Sequence, residues 1–151
     1  MSNTANPRRT ALLASAAAGL AMVSPAEAAG GQGGPVRVVY HVTQGLAQAS
    51  RCLGNVRNHL AADPGVTIVV VGNGDGIAFM LEGAKDAHGA DFAGNVGDLA
   101  GRGVSFRACN NTLRSRGVSP DKVLLDANVV PSGVAEVANL QFRDGYAYIC
   151  P

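Results

Sequence analysis

From residue 36 onward, short apolar runs alternate with segments in which apolar residues recur every three or four positions. Val36 to Val42 is rich in β-branched and aromatic residues and predicts a strand ending near the Gly45 turn. Leu46, Ala49, Leu53, Val56 and Leu60 then mark one face of an amphipathic helix, which Asp63-Pro64-Gly65 ends. Val66 to Val71 is an almost unbroken apolar run, as expected of a strand buried on both faces. Gly72-Asn73-Gly74-Asp75-Gly76 reads as a tight loop, with apolar Ile77 to Leu81 behind it. Phe92, Val96 and Leu99 predict a second helix, closed by Gly101 and Gly103, and Val104 to Ala108 a third strand. Asn110 to Arg116 is a short helix stopped by Gly117, and Ser119-Pro120 opens a further turn. Asn128 to Val130 is a fourth strand. Ser132 caps a last helix running to about Arg143, with Val134, Val137 and Ala138 expected inward. Tyr146 to Ile149 is the last strand.

Strands and helices thus alternate, five strands with four helices between them. That order implies crossover connections and a parallel sheet covered by helices on both faces, an α/β fold. In such sheets binding and chemistry gather at the carboxyl ends of the strands.

The first residues have a different character. Arg8 and Arg9 precede an uncharged apolar run from Leu12 to Val23, and Pro25 and Ala26-Glu27-Ala28 follow. This is the form of a signal peptide over residues 1–28, cleaved after Ala28 or, as the alternative, after Ala29. The apolar run is shorter than the ~20 residues a membrane anchor needs. The paired arginines favour the twin-arginine export route over the general secretory one, and the expected location is the periplasm or outside the cell. Residues 29–35 are Gly-rich and read as a flexible leader, so the folded domain is expected over 36–151.

Charge narrows the partners. The 151 residues carry 12 basic and 11 acidic side chains, and loss of Arg8, Arg9 and Glu27 leaves 10 of each. No basic stripe points to nucleic acid, and no second apolar span or basic amphipathic helix points to a membrane role after processing. No cofactor motif is present. The Gly72-x-Gly74-x-Gly76 loop places its third glycine one position too early for a dinucleotide fingerprint, and no Gly-Lys-Ser/Thr follows. His41, His59 and His88 are too scattered for a metal site, and none has ligand spacing to a cysteine.

Three cysteines carry the candidate chemistry. Cys109 directly follows a strand and opens a short helix, where free N–H groups favour a thiolate. Arg107 and Arg114 are near in sequence and would add positive charge. Asn110, Asn111 and Thr112 are placed either to cap that helix or to donate to a bound anion. His41, at the end of the first strand, is a candidate base or a hydrogen-bonded rim residue, and Asn73 a candidate for lining the same rim. Cys52 lies at the edge of the first helix's apolar face and Cys150 ends the last strand. A Cys52–Cys150 disulfide, a pair of free thiols, and Cys150 as a resolving thiol for Cys109 are the readings open to them.

The stretch from Gly103 to Leu113, with its Phe106-x-x-Cys109-x-x-Thr112-Leu113 segment, resembles the DsrE/DsrF-like sulfur-relay family, in an exported subgroup. So do Val130-Pro131-Ser132-Gly133, Leu140-Gln141, Gly145 to Tyr148, and the Val69 to Leu81 stretch. The resemblance covers Val36 to Pro151. It implies a three-layer α/β/α fold with a five-stranded parallel sheet, and homo-oligomers, often trimers or hexamers. It also implies a cysteine that carries sulfane sulfur as a persulfide and passes it to a thiol on a partner protein. Cys109 matches that cysteine. Two functions follow as expectations: a sulfur carrier or sulfurtransferase acting through Cys109, or a non-enzymatic oligomeric module that binds a ligand or partner while Cys109 only packs.

Overall fold

The computed structural model describes residues 34–151. The signal-peptide reading of residues 1–28, and residues 29–33 of the leader, lie outside the described residues. The elements are β1 (Arg37–Val42), α1 (Leu46–Ala62), β2 (Thr67–Gly72), a 3-10 segment (Gly74–Met80), α2 (Phe92–Gly101), β3 (Ser105–Cys109), α3 (Asn110–Ser115), a 3-10 turn (Pro120–Lys122), β4 (Ala127–Val130), α4 (Gly133–Phe142) and β5 (Ala147–Ile149). The five strands form one parallel sheet in the order β4-β3-β2-β1-β5, the architecture expected from the alternating pattern.

The pleat divides the strand residues between two cores. Val38, Tyr40, Val42, Ile68, Val70 and Phe106 face α1, α2, α3 and the 3-10 segment. Phe79 packs edge-on against Phe92 and Phe106 at ring-centroid distances of 5.9 and 6.3 Å in this larger core. Val39, Val69 and Val71 face the opposite side, where α4 lays down Val137 and Leu140. Helices therefore cover both faces, with α4, among the described residues, standing alone on the second.

Three local readings change. The apolar stretch behind the Gly-rich loop is a 3-10 helix that buries Ile77, Phe79 and Met80. The third strand extends one residue further than expected, so Cys109 is both its last residue and the cap of α3. In α4 the inward residues are Gly133, Val137 and Leu140, whereas Val134 and Ala138 face outward. The helix turns that way because Gly133, lacking a side chain, is the residue that fits against the sheet. A Cβ there would stand 3.0 Å from Asn73 Cβ, 3.1 Å from Cys109 Cβ and 3.4 Å from Val71 Cγ1.

Candidate functional site at the carboxyl edge of the sheet

The residues expected to carry chemistry converge on one rim, on the α4 side of the sheet. Cys109 is brought there by the pleat, its backbone extended at φ −74° and ψ 114°. Only 3% of its surface is exposed. Burial alone would raise the thiol pKa. The Thr112 hydroxyl and the N–H groups of Gly133, Thr112 and Asn111 outweigh it, and the thiol is held below its ordinary value. The Asn111 N–H is shared with the Pro131 carbonyl, 3.2 Å away. Two chain segments thus aim donors at one sulfur: the first turn of α3, and the start of α4 after Val130-Pro131-Ser132.

Thr112 also ties this sulfur to the loop after β2. Its Oγ1 accepts from Gly74 N–H at 3.1 Å, so its own proton is free to go to the sulfur. Arg116 pairs with Asp75 across the same gap. The loop is pinned from the other side as well. Asn73 N–H donates to the Val42 carbonyl at 3.1 Å. At Gly76 the backbone passes so close to the end of β1 that a Cβ would lie 2.0 Å from Val42 O. The close spacing of glycines after β2 is therefore a packing requirement that draws Asn73 to the rim.

Along the rim, in sheet order, stand Tyr148 on β5, His41 on β1, Asn73 after β2 and Cys109 on β3. His41 Nε2 lies 2.8 Å from Asn73 Oδ1, and Nδ1 lies 3.1 Å from Tyr148 Oη. An amide oxygen only accepts, so Nε2 carries the proton and Nδ1 accepts from the Tyr148 hydroxyl. His41 is thus bonded on both sides and does not touch Cys109.

The remaining candidates separate from this line. Asn110 is half-buried and Asn111 exposed, and neither side chain caps α3. Arg107 pairs with Glu136 of α4, and Arg114 is exposed in the last turn of α3, so neither guanidinium adds free charge at the thiol. His59 bonds Tyr40 Oη at 3.0 Å, away from the rim, and His88 lies in the turn that Asp86 organises.

Cys52, Cys109 and Cys150 are all free thiols. The proposed Cys52–Cys150 bond is not formed, because Cys52 points into the core beneath α1 and Cys150 is exposed at the rim. Gln48, one turn earlier on the same helix face, takes the place between them. Its Oε1 accepts from Thr43 and Gln44 N–H, and its Nε2 donates to Pro151 O and, at 3.6 Å, to Cys150 Sγ. Burial pushes the Cys52 thiol up to about 12. Cys150 as a resolving thiol for Cys109 is also excluded within one chain. Sheet order puts three strand spacings between them, on the order of 14 Å, where a disulfide needs Cα atoms within about 7 Å.

Tyr148, Gly133 and Gln48 are the site residues that sequence reasoning missed. Tyr148 reaches His41 because β5 pairs with β1, its residue standing opposite Val39. Nothing in the local sequence of β5 announces that partner. Gly133 carried a signal, a glycine directly after a capping serine at the first position of a helix.

The model of the DsrE/DsrF-like family matches residues 8–151. The chain belongs to the DsrE/DsrF-like family. A solved structure of a protein of unknown function from Methanobacterium thermoautotrophicum is 35% identical. The match covers 77% of this chain and 99% of that one, at a TM-score of 0.68. The ychN protein of E. coli shares the fold at 14% identity, over 78% of this chain and 97% of that one, at a TM-score of 0.60. A search of curated proteins finds no match. In this DsrE-like domain the Val-Pro-Ser-Gly and Cys-x-x-Thr segments meet at the sulfur of Cys109.

Proposed function

We propose that this DsrE-like protein is an exported sulfur carrier that holds sulfane sulfur on Cys109. The observation that carries the reading is the set of donors gathered on that buried sulfur, enough to overcome burial and favour the thiolate. The Cys109 thiolate attacks the sulfane sulfur of a polysulfide or persulfide donor. A new S–S bond forms, the donor's S–S bond breaks, and the donor leaves as a thiolate. An acceptor thiolate then attacks the outer sulfur and Cys109 leaves as a thiolate again. Sulfur moves with no net gain or loss of electrons. Because so little of Cys109 is exposed, the reading favours a small polysulfide over a bulky donor, and an acceptor presenting a slender thiol.

The wider parts of the proposal have their own support. The paired arginines, apolar run and Ala-Glu-Ala segment near the N-terminus support export to the periplasm. An uncharged stripe on α4, with Val134 at 63% and Phe142 at 92% exposure on either side of Ala138, supports a homo-oligomer. Reduced protein incubated with inorganic polysulfide is expected to gain one sulfur mass on the Cys109 peptide, and a Cys109→Ser variant to gain none there.

The 3% exposure of Cys109 favours a second reading, an oligomeric binding module in which the thiol only packs. A Cys109→Ser variant that keeps ligand binding, oligomer size and cellular phenotype, alongside wild-type protein that takes up no sulfur, is the outcome that selects it.

A further inference from the structure

We propose that the Asn73 side-chain amide holds the outer sulfur of a Cys109 persulfide, and that His41 and Tyr148 are the positioning residues that aim it. This rests on the sulfur-carrier reading and adds to it a second set of contacts, for an atom the resting thiol does not yet have. The outer sulfur stands one S–S bond, about 2.05 Å, beyond Sγ. The donors from Thr112, Gly133 and Asn111 are gathered on Sγ itself. A negative charge on the next atom needs a donor of its own.

Asn73 is the side chain placed to supply it. Asn73 and Cys109 flank the backbone of Gly133, their Cβ atoms 3.0 and 3.1 Å from the point where a Cβ on that glycine would stand. Asn73 Oδ1 is committed to His41 Nε2–H at 2.8 Å. The oxygen and nitrogen of a carboxamide leave the same carbon in diverging directions. With Oδ1 held by His41 on β1, Nδ2 is left free of that bond, beside the strand that ends in Cys109, and on this proposal it is the end that meets the outer sulfur. Among the described residues Nδ2 has no acceptor, and it is not one of the donors on Sγ. The neighbouring guanidiniums are spent elsewhere, Arg107 on Glu136 and Arg116 on Asp75.

The amide can keep this orientation because His41 is held on both sides. The Tyr148 hydroxyl donates to Nδ1, and the Tyr148 ring packs edge-on against the imidazole, with centroids 5.8 Å apart and planes at 72°. An unsupported asparagine would turn over freely and present Oδ1, an acceptor, to the anionic sulfur. The line Tyr148–His41–Asn73 fixes which end faces Cys109.

Two measurements on the same variants test this. The first is the pH profile of iodoacetamide alkylation of the Cys109 thiol. The second is the rate at which persulfide, loaded from inorganic polysulfide and freed of excess reagent, is lost from Cys109, read by peptide mass at timed intervals. Asn73→Ala and His41→Ala are expected to leave the alkylation profile unchanged and to speed persulfide loss roughly tenfold, the scale of a hydrogen bond to a charged group. Tyr148→Phe removes one hydroxyl from a surface residue without threatening the fold, and is expected to speed loss roughly threefold. His41→Gln, which keeps an N–H donor for Asn73, is expected to restore much of the lifetime lost in His41→Ala. Wild-type persulfide lifetimes in Asn73→Ala and Tyr148→Phe overturn the proposal while leaving the carrier reading intact. An altered alkylation profile in Asn73→Ala also overturns it, by showing that Asn73 acts on the thiol itself. Wild-type protein that takes no sulfur on Cys109 removes the carrier reading, and this proposal with it.

Discussion

Two cysteines in this domain expose almost no surface and behave in opposite ways. Cys52 sits among hydrocarbon under α1, and burial drives its thiol up to about 12. Cys109 also meets a burial penalty but has the Thr112 hydroxyl and backbone N–H groups around it, and its thiol is lowered. Alkylation requires the thiolate, so the Cys109 rate rises with pH through a folded-state pKa below that of a free thiol. Cys52 is expected to stay unreactive in the native protein across the neutral range. Thr112→Val removes one donor and shifts the Cys109 profile to higher pH. The rate at neutral pH is expected to fall roughly tenfold, measured by timed alkylation and peptide mass. The same lowering links to stability. Ionised Cys109 stabilises the fold above the unfolded thiol's pKa, and that contribution is lost as pH falls through the folded value. Gly133→Ala tests the closest approach at the site. Its Cβ has to displace Asn73 or Cys109, at a cost of about 1–3 kcal/mol in urea unfolding together with slower Cys109 alkylation.

Among the elements, α4 joins the smaller of the two cores to the site. It alone, among the described residues, covers the second face, through Val137 and Leu140, and its first residue brings an N–H to Cys109. Arg107 on β3 is tied to it through Glu136. Leu140→Ala is expected to cost about 2–5 kcal/mol in denaturant unfolding. In the native state it is also expected to slow Cys109 alkylation, because a loosened α4 carries Gly133 away. A substitution of similar size in the larger core, Leu53→Ala under α1, is expected to cost a comparable amount and to leave Cys109 reactivity nearly unchanged. The contrast separates loss of stability from loss of the site.

For the whole molecule, the outward stripe of Val134, Ala138 and Phe142 is an apolar surface at odds with a lone domain in water. If the homo-oligomer proposed above uses it, Phe142→Glu shifts the protein toward monomer in sedimentation velocity and leaves the melting of the fold within about 0.5 kcal/mol. An unchanged sedimentation profile removes α4 from the interface. Processing has a separate check at this scale. The mass of exported protein is expected to begin at Ala29, or at Gly30 if cleavage follows Ala29.

The alternation of apolar runs and helical spacings determined the α/β class, the parallel sheet and nearly every element, because burial on two faces imposes its period locally. It also placed Cys109 where a strand becomes a helix. The two-segment resemblance, Phe-x-x-Cys-x-x-Thr-Leu and Val-Pro-Ser-Gly, led to the family that the matching model bears out. Only the tertiary structure decided which residues meet. The sheet order β4-β3-β2-β1-β5 sets Tyr148 beside His41, keeps Cys150 far from Cys109, and lines up four rim residues from four parts of the chain. The inward turn of α4 was likewise hidden, since its apolar residues lie on both sides and a glycine's fit against Cys109 selected the buried face. Periodicity is a property of neighbours along the chain, whereas strand order and close approach are properties of neighbours in space.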